Sequence, residues 1–279
     1  MLASPAATGQ SLDDVLRAHG IEADPAATPG AIHFDLASLH TLNMSEDRHY
    51  WAAERRALVL DCVRRFARPP LNFLDIGCGN GTLLKDIEDT FPGSHALGVD
   101  GYIESLIHCR QRSPTVALRL QDIAQERWPE FDRTYDVVTL LDVLEHLDDP
   151  AAVLAQARRI LAPGGVLIAS VPAHPFLWSA RDVFLGHRRR YTRATLLELL
   201  RQSGFDVVHT SHLFSYLWLP ALLHRRLGGR DGQRLEQREL RLPPINGPLA
   251  ALGRLEAKLS LALPLPFGTS VYAVARVGA

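Results

Sequence analysis

From residue 72 onward the chain alternates short apolar runs with amphipathic ones, and that alternation leaves few folds open. "LNFLDI" reads as a strand and "GTLLKDIEDTF" as a helix; "HALGVD" and "YIESLIHCRQR" repeat the pair. "TVALRLQDI" is a third strand, "YDVVTLLD" a fourth and "GVLIASVP" a fifth, with the helix "PAAVLAQARRIL" between the last two. "RATLLELLRQSG" is a further helix, and "FDVVHTSHL" and "SVYAVARV" close the pattern. Short buried strands alternating with helices predict an α/β fold, a parallel sheet covered on both faces. Two connections, 173–191 and 214–269, are too long to be ordinary loops. Extra chain at strand ends is where substrate specificity usually resides.

Ahead of the alternating unit, Ser45 is a candidate cap for a helix from about Glu46 to Phe66. Residues 1–30 are rich in Ala, Pro and Gly, with one amphipathic piece, "SLDDVLRAHG". They are expected to form a loose or weakly docked arm. The chain divides into an arm over 1–44, a core over 45–213, a mainly helical substrate-side insertion over 214–269 and a final strand over 270–279.

The first strand runs into "GCGNG", with glycines at 77, 79 and 81. A dinucleotide site needs G-x-G-x-x-G, and its third glycine position here is Thr82. Asp75, two residues before the loop, would repel a pyrophosphate and attract an ammonium. Asp100 ends the second strand, where a carboxylate can accept both ribose hydroxyls. Asp122 ends the third, placed to accept from an adenine amino group, with Ile123 packing the ring. Carboxylates at three successive strand ends describe a site for an adenosine bearing a cationic amino acid.

"FLDIGCGNG", "LGVD", "LQDI", "YDVVTLLDVLEHLDDP" and "ILAPGGVLIASVP" together resemble the class I S-adenosylmethionine-dependent methyltransferases over roughly residues 72–172. The likeness implies a Rossmann-like, doubly wound sheet of seven strands, mostly parallel with an antiparallel last strand. It implies S-adenosyl-L-methionine as cofactor and S-adenosyl-L-homocysteine as product. Asp75, Gly77 and Gly79 would surround the methionine moiety, Asp100 the ribose, and Asp122, with Ile123, the adenine, while Cys78, Gly81, Gly101 and Leu141 are further cofactor-binding candidates. "MSEDRHYWAAERRALV", "GHRRRYTRATLLELLRQSGFDVV" and "LPFGTSVYAVAR" resemble a bacterial small-molecule subgroup of that class, akin to the type 11 and type 23 methyltransferase domains.

A hydroxyl acceptor must lose its proton, which favours a nearby histidine. His146, in "LEHL", follows the fourth strand, and His187, in "GHRRRY", lies in the first long connection. Glu145 is equally readable as a structural hydrogen-bond acceptor. Arg188, Arg189, Arg190 and Tyr191, with Trp178, are candidates to hold an anionic acceptor, since arginine grips phosphate or carboxylate in two places; a solvated helix start is the alternative. Tyr50 and Trp51 could lid the cofactor with Arg55 near its carboxylate, or anchor an N-terminal helix. "LFSYLWLPALLHRRLGGR" fits a helix at a membrane surface, over a substrate pocket or against a second copy in a homodimer.

Composition limits the partners. Formal net charge is -1, which gives no support for nucleic acid, and the "NPPY"-type tetrad of nucleic-acid methyltransferases is replaced by "LDVL". The expected reaction is O-methylation of a small-molecule or lipid- or sugar-linked metabolite in a bacterial biosynthetic pathway. Cys62, Cys78 and Cys109 form no CxxC pair, which fits a reducing cytoplasm and argues against a metal site. There is no signal-peptide pattern and no apolar run of spanning length, so the expected place is cytoplasmic, with the inner-membrane surface as the alternative. The rival functions are a nicotinamide-dependent oxidoreductase, which the glycine spacing and Asp75 oppose, and a binding module without turnover.

Overall fold

The strands β2 (Asn72–Ile76), β3 (His95–Asp100), β4 (Ala117–Leu120), β5 (Tyr135–Leu141) and β6 (Leu161–Pro172) lie parallel, as their continuous apolar runs predict. This computed structural model describes residues 11–24, 49–125, 128, 131, 133–226 and 244–278. Two later strands, β7 (Phe205–Leu213) and β8 (Ser270–Val277), complete the far half, with β8 antiparallel to both β6 and β7. A two-residue strand, β1 (Glu22–Ala23), joins the edge beside β4, making eight strands among the described residues, in the order β1-β4-β3-β2-β5-β6-β8-β7.

That extra strand belongs to the segment expected to be loosely held. Residues 11–24 are docked instead. Ser11 caps α1 (Leu12–His19) by accepting from the Asp14 N–H, and Val15 and Leu16 reach the core. Arg110 fixes the turn that follows, donating to the carbonyls of His19 and Gly20.

Helices cover both faces. On one lie α2 (Tyr50–Phe66), α3 (Thr82–Thr90), α4 (Ile103–Arg112) and α9 (Asn246–Ala262), packed on Phe73, Val137, Ile168 and Tyr272. On the other lie α5 (Pro150–Ile160) and α7 (Arg193–Gln202), packed on Leu74, Val138, Leu167 and Ala273. The long connections carry short helices, α6 (Ala180–Phe184) in the first and α8 (Ser215–Arg226) in the second. Much of the expected insertion is thus α9, a member of the core layer that packs along α2.

α2 begins at Tyr50, four residues later than expected; Ser45 lies outside the described residues. His49 caps it without a side-chain bond, and the Tyr50 N–H is satisfied by Asn246 Oδ1 at 2.9 Å. Where α2 meets α9, Gly253 leaves room for Glu54, since a Cβ there would overlap Glu54 Oε2.

Glu54 is fully buried, accepting from Phe214 N–H and Tyr216 Oη, and faces Glu256. Burial, then the Glu256 charge, pushes its carboxyl from 4.5 up to about 9. The folded state therefore binds a proton that the unfolded state gives up. The contribution of Glu54 to stability is full below about pH 4.5 and declines as pH rises to about 9, by up to roughly 1.4 kcal/mol per pH unit. Thermal melts of wild type against Glu54→Gln across that range should isolate the decline, the difference between the two proteins shrinking as pH rises.

Candidate active site

The C-terminal edge of β2, β3 and β4 gathers the expected carboxylates on neighbouring strands. Asp75 is buried and accepts from Thr139 Oγ1 at 2.6 Å. Asp100 accepts from the N–H groups of Gly79 and Tyr102, both at 2.9 Å. Burial outweighs these bonds and raises its carboxyl to about 6. Asp122 folds back to accept from the Ala124 N–H, and Ile123 is buried in the core beside Trp128.

All three loop glycines have positive φ: 75° at Gly77, 52° at Gly79 and 76° at Gly81. Their surroundings differ. A Cβ at Gly77 would stand 2.6 Å from Val143 Cγ2, so the turn after β5 closes on the loop. A Cβ at Gly81 would overlap Cys109 Sγ, so this glycine serves the approach of α4. The Cys78 thiol also turns inward, where its hydrogen bond with Cys109 and then burial raise its pKa. Gly101 is open by comparison: a Cβ there would meet nothing nearer than Gln121 O at 3.8 Å. Leu141, half-buried at the end of β5, packs on the first core face.

Among the described residues, three other than glycine also have positive φ: Asp142, His174 and Phe214. Each directly follows a strand, β5, β6 or β7, or lies one residue beyond it. Such strain concentrates at functional sites. Asp142 accepts from Arg55 at 2.5 Å and from Ser170 Oγ at 3.2 Å. The Arg55 guanidinium lies over the Trp51 ring, 4.1 Å from its centroid. The first turns of α2 are thereby anchored to the end of β5.

His146 and His187, expected to be near the acceptor, come together across the two segments. Their rings meet edge-to-face at 4.8 Å. His146 lies in the turn Leu144–His146; burial and then His187 lower its pKa to about 4. His187 Nδ1 bonds Asp182 Oδ1 at 2.9 Å, and Nε2 stands 4.0 Å from Glu145 Oε1. Burial alone would raise the Asp182 carboxyl, but the hydrogen bonds from His187 and Arg190 hold it below the usual range. Glu145 is fully buried, and burial followed by the Asp142 charge raises its carboxyl.

The arginine run bonds mostly within the chain, and Arg188 is half-exposed, paired with Asp148 at 2.7 Å. Arg188 donates to His146 O and Arg189 to the carbonyls of Leu147 and Asp148. Arg190 donates to Asp182 Oδ1 at 2.6 Å and to Ala173 O. The three guanidiniums clamp the long connection onto the turn that carries His146. Buried Tyr191 does likewise, donating to Leu144 O. Trp178 is half-buried at the end of the turn Pro175–Leu177. Sequence reasoning misses Asp182; the available signal is "SARD", a capping box at Ser179, with Asp182 five residues before His187.

A doubly wound sheet with a glycine loop and three strand-end carboxylates defines a class of nucleoside-cofactor enzymes. Residues 48–210 match the family described as "Methyltransferase domain". A "Probable S-adenosylmethionine-dependent methyltransferase" of Mycolicibacterium smegmatis is 31% identical over 81% of this chain and 85% of its own length. A ubiquinone biosynthesis O-methyltransferase of Methylococcus capsulatus is 38% identical over 35% of this chain, which spans 41% of that relative. Among solved structures, a phosphoethanolamine N-methyltransferase of Haemonchus contortus bound to S-adenosyl-L-methionine has TM-score 0.52 at 19% identity, covering 79% of this chain and 52% of its own. An S-adenosylmethionine-dependent methyltransferase of Mesorhizobium loti also has TM-score 0.52, at 18% identity, covering 78% and 97%. The chain belongs to the methyltransferase-domain family, and it is a class I S-adenosylmethionine-dependent methyltransferase.

Proposed function

We propose that this enzyme methylates a hydroxyl of a small or lipid-linked metabolite in a biosynthetic pathway. The observation that carries this reading is the His187–Asp182 pair beside His146, on the turn that touches the glycine loop through Val143 and Gly77. A hydroxyl acceptor needs a proton acceptor at that place. The partial relative named as a ubiquinone biosynthesis O-methyltransferase supports the same chemistry. S-adenosyl-L-methionine supplies the methyl group as a sulfonium, already a strong electrophile.

The chain's part is to hold, orient and exclude water. Asp75 and the backbone of Gly77, Cys78 and Gly79 would hold the amino-acid end, Asp100 and Gly101 the ribose, and Asp122, Ile123 and Leu141 the base. Gly81 acts through packing. His187, oriented by Asp182, would take the acceptor's proton, with His146 and Trp178 positioning the acceptor. Support for the lipid-linked class comes from exposed Leu252, Leu255 and Leu259 on α9 and Leu219 and Leu223 on α8. They would face the inner-membrane surface or, in the alternative, a second copy of the chain.

The test is an acceptor screen with phenolic, sugar and amine compounds, reading by mass where the methyl goes. Transfer only to nitrogen would overturn the hydroxyl assignment. The cofactor assignment has its own expected result. S-adenosyl-L-homocysteine affinity should weaken as pH falls through about 6, where Asp100 takes up a proton. Asp100→Ala should cost at least about tenfold in affinity at neutral pH, since each hydrogen bond to a charged group is worth roughly 1.5–3 kcal/mol. Calorimetry measures both, and unchanged binding in a folded variant would overturn the assignment.

A further inference from the structure

Glu145 is fully buried, yet neither carboxylate oxygen has a hydrogen-bond donor among the described residues. An orphaned buried carboxyl group is costly, and native proteins seldom leave one without a partner. One ligand atom each from Glu145, His146 and His187 all lie within 4.8 Å of one another. The imidazoles are half-buried, so the cluster has a closed floor and a side toward solvent.

The second observation lies behind His187. Its Nδ1 is bonded at 2.9 Å to Asp182, itself fully buried and gripped by Arg190. A carboxylate on Nδ1 fixes the proton there and leaves the Nε2 lone pair directed toward Glu145. Metal-ligating histidines are held in this way, by an outer carboxylate on the far nitrogen. The nearest guanidiniums are committed elsewhere, Arg55 to Asp142 and Arg190 to Asp182.

We propose that Glu145, His146 and His187 bind one divalent first-row transition-metal ion of the zinc class, with Asp182 orienting His187. Two imidazoles and one carboxylate suit such an ion, whereas magnesium and calcium prefer oxygen ligands throughout. Ligand bonds of about 2.0–2.2 Å around a tetrahedral ion put the ligand atoms roughly 3.4 Å apart. The His187 Nε2–Glu145 Oε1 separation is 4.0 Å, so closure requires a small movement. Three protein ligands leave a fourth position. That this position takes the acceptor rests on the hydroxyl-methylation reading; with the metal bound, His187 Nε2 is a ligand in place of a base, and a hydroxyl ligated there would release its proton to solvent near neutral pH. The absence of a CxxC pair argues against a zinc site in the sequence, but this site uses no cysteine, and its third ligand, His187, comes from the 173–191 connection, so local spacing carries no sign of it.

The experiment is metal binding to chelator-treated full-length protein, with Zn²⁺ by calorimetry and Co²⁺ by visible absorption. One equivalent per chain should bind, with the strong visible bands of a four- or five-coordinate Co²⁺ site. Glu145→Gln and His187→Gln should each lower Zn²⁺ affinity by at least about 100-fold, and Asp182→Asn by about 10–100-fold. S-adenosyl-L-homocysteine titration of each sample reports that the fold is intact. No one-to-one Zn²⁺ binding, or wild-type Zn²⁺ affinity in folded Glu145→Gln and His187→Gln variants, overturns the site. The two readings separate in the acceptor screen. If Zn²⁺ binds while only amines are methylated, the metal site stands and the hydroxyl reading falls. If hydroxyls are methylated equally well in chelator and no Zn²⁺ binds, the metal site falls and the histidine base stands.

Discussion

Gly81→Val should leave little folded protein at room temperature. The position has φ 76°, which a β-branched residue adopts only under strain. A Cβ there would overlap Cys109 Sγ and stand 2.9 Å from Cys109 Cβ and 3.2 Å from its Cα. The last two atoms belong to α4 itself, so relief requires moving a helix. Overpacking plus left-handed strain should cost more than about 4 kcal/mol, a large part of the roughly 5–15 kcal/mol that stabilises a typical domain. Circular-dichroism melts measure the loss. Gly81→Ala should be milder, and adding Cys109→Ala to it should recover part of the stability. Gly101→Ala is the control, since a Cβ there meets nothing closer than 3.8 Å; its melting temperature should stay near wild type. A Gly81→Val protein that melts like wild type would show that α4 does not pack on the loop as described.

His187→Ala should lower turnover by about 10²–10⁴-fold, the usual worth of a positioned proton acceptor. S-adenosyl-L-homocysteine affinity should change little, because the ring belongs to the cluster of Glu145, His146 and Asp182 and not to the strand ends of β2–β4. Asp182→Asn should lower turnover less, by loosening the His187 ring rather than removing it. Steady-state kinetics with an acceptor found in the screen, alongside calorimetry with S-adenosyl-L-homocysteine, separates the two effects. Full turnover in folded His187→Ala would remove this histidine from the reaction.

The sheet was legible because its central strands are buried on both faces. "FDVVHTSHL" and "SVYAVARV" appear as strands with the expected bounds. The N-terminal end of α2 was not legible, because its donor is met by Asn246, 196 positions away. The β1 strand was missed because two residues carry no periodicity. At the site, the strand-end carboxylates and both histidines could be picked from their places after strands. Asp182 could not, since its role arises only when the 173–191 segment folds over the turn after β5. Arg188–Arg190 show the same limit: charge is visible in a sequence, but the direction of a guanidinium is not. Here all three turn toward backbone carbonyls, Asp148 or Asp182.

The place of β8 has a consequence for how the chain comes together. It lies between β6 and β7 and hydrogen-bonds to both, though it follows β7 by the whole 214–269 segment. During synthesis β6 and β7 are made first, and domains form from the N-terminal side as the chain emerges. Until β8 arrives, β6 presents its open edge, and β7 has no strand to join. Closing that long loop costs entropy before the pairing returns anything. The half of the sheet nearest β5 can form early, whereas the β6–β8–β7 half, and the seat it gives α9, must wait for residues 270–277.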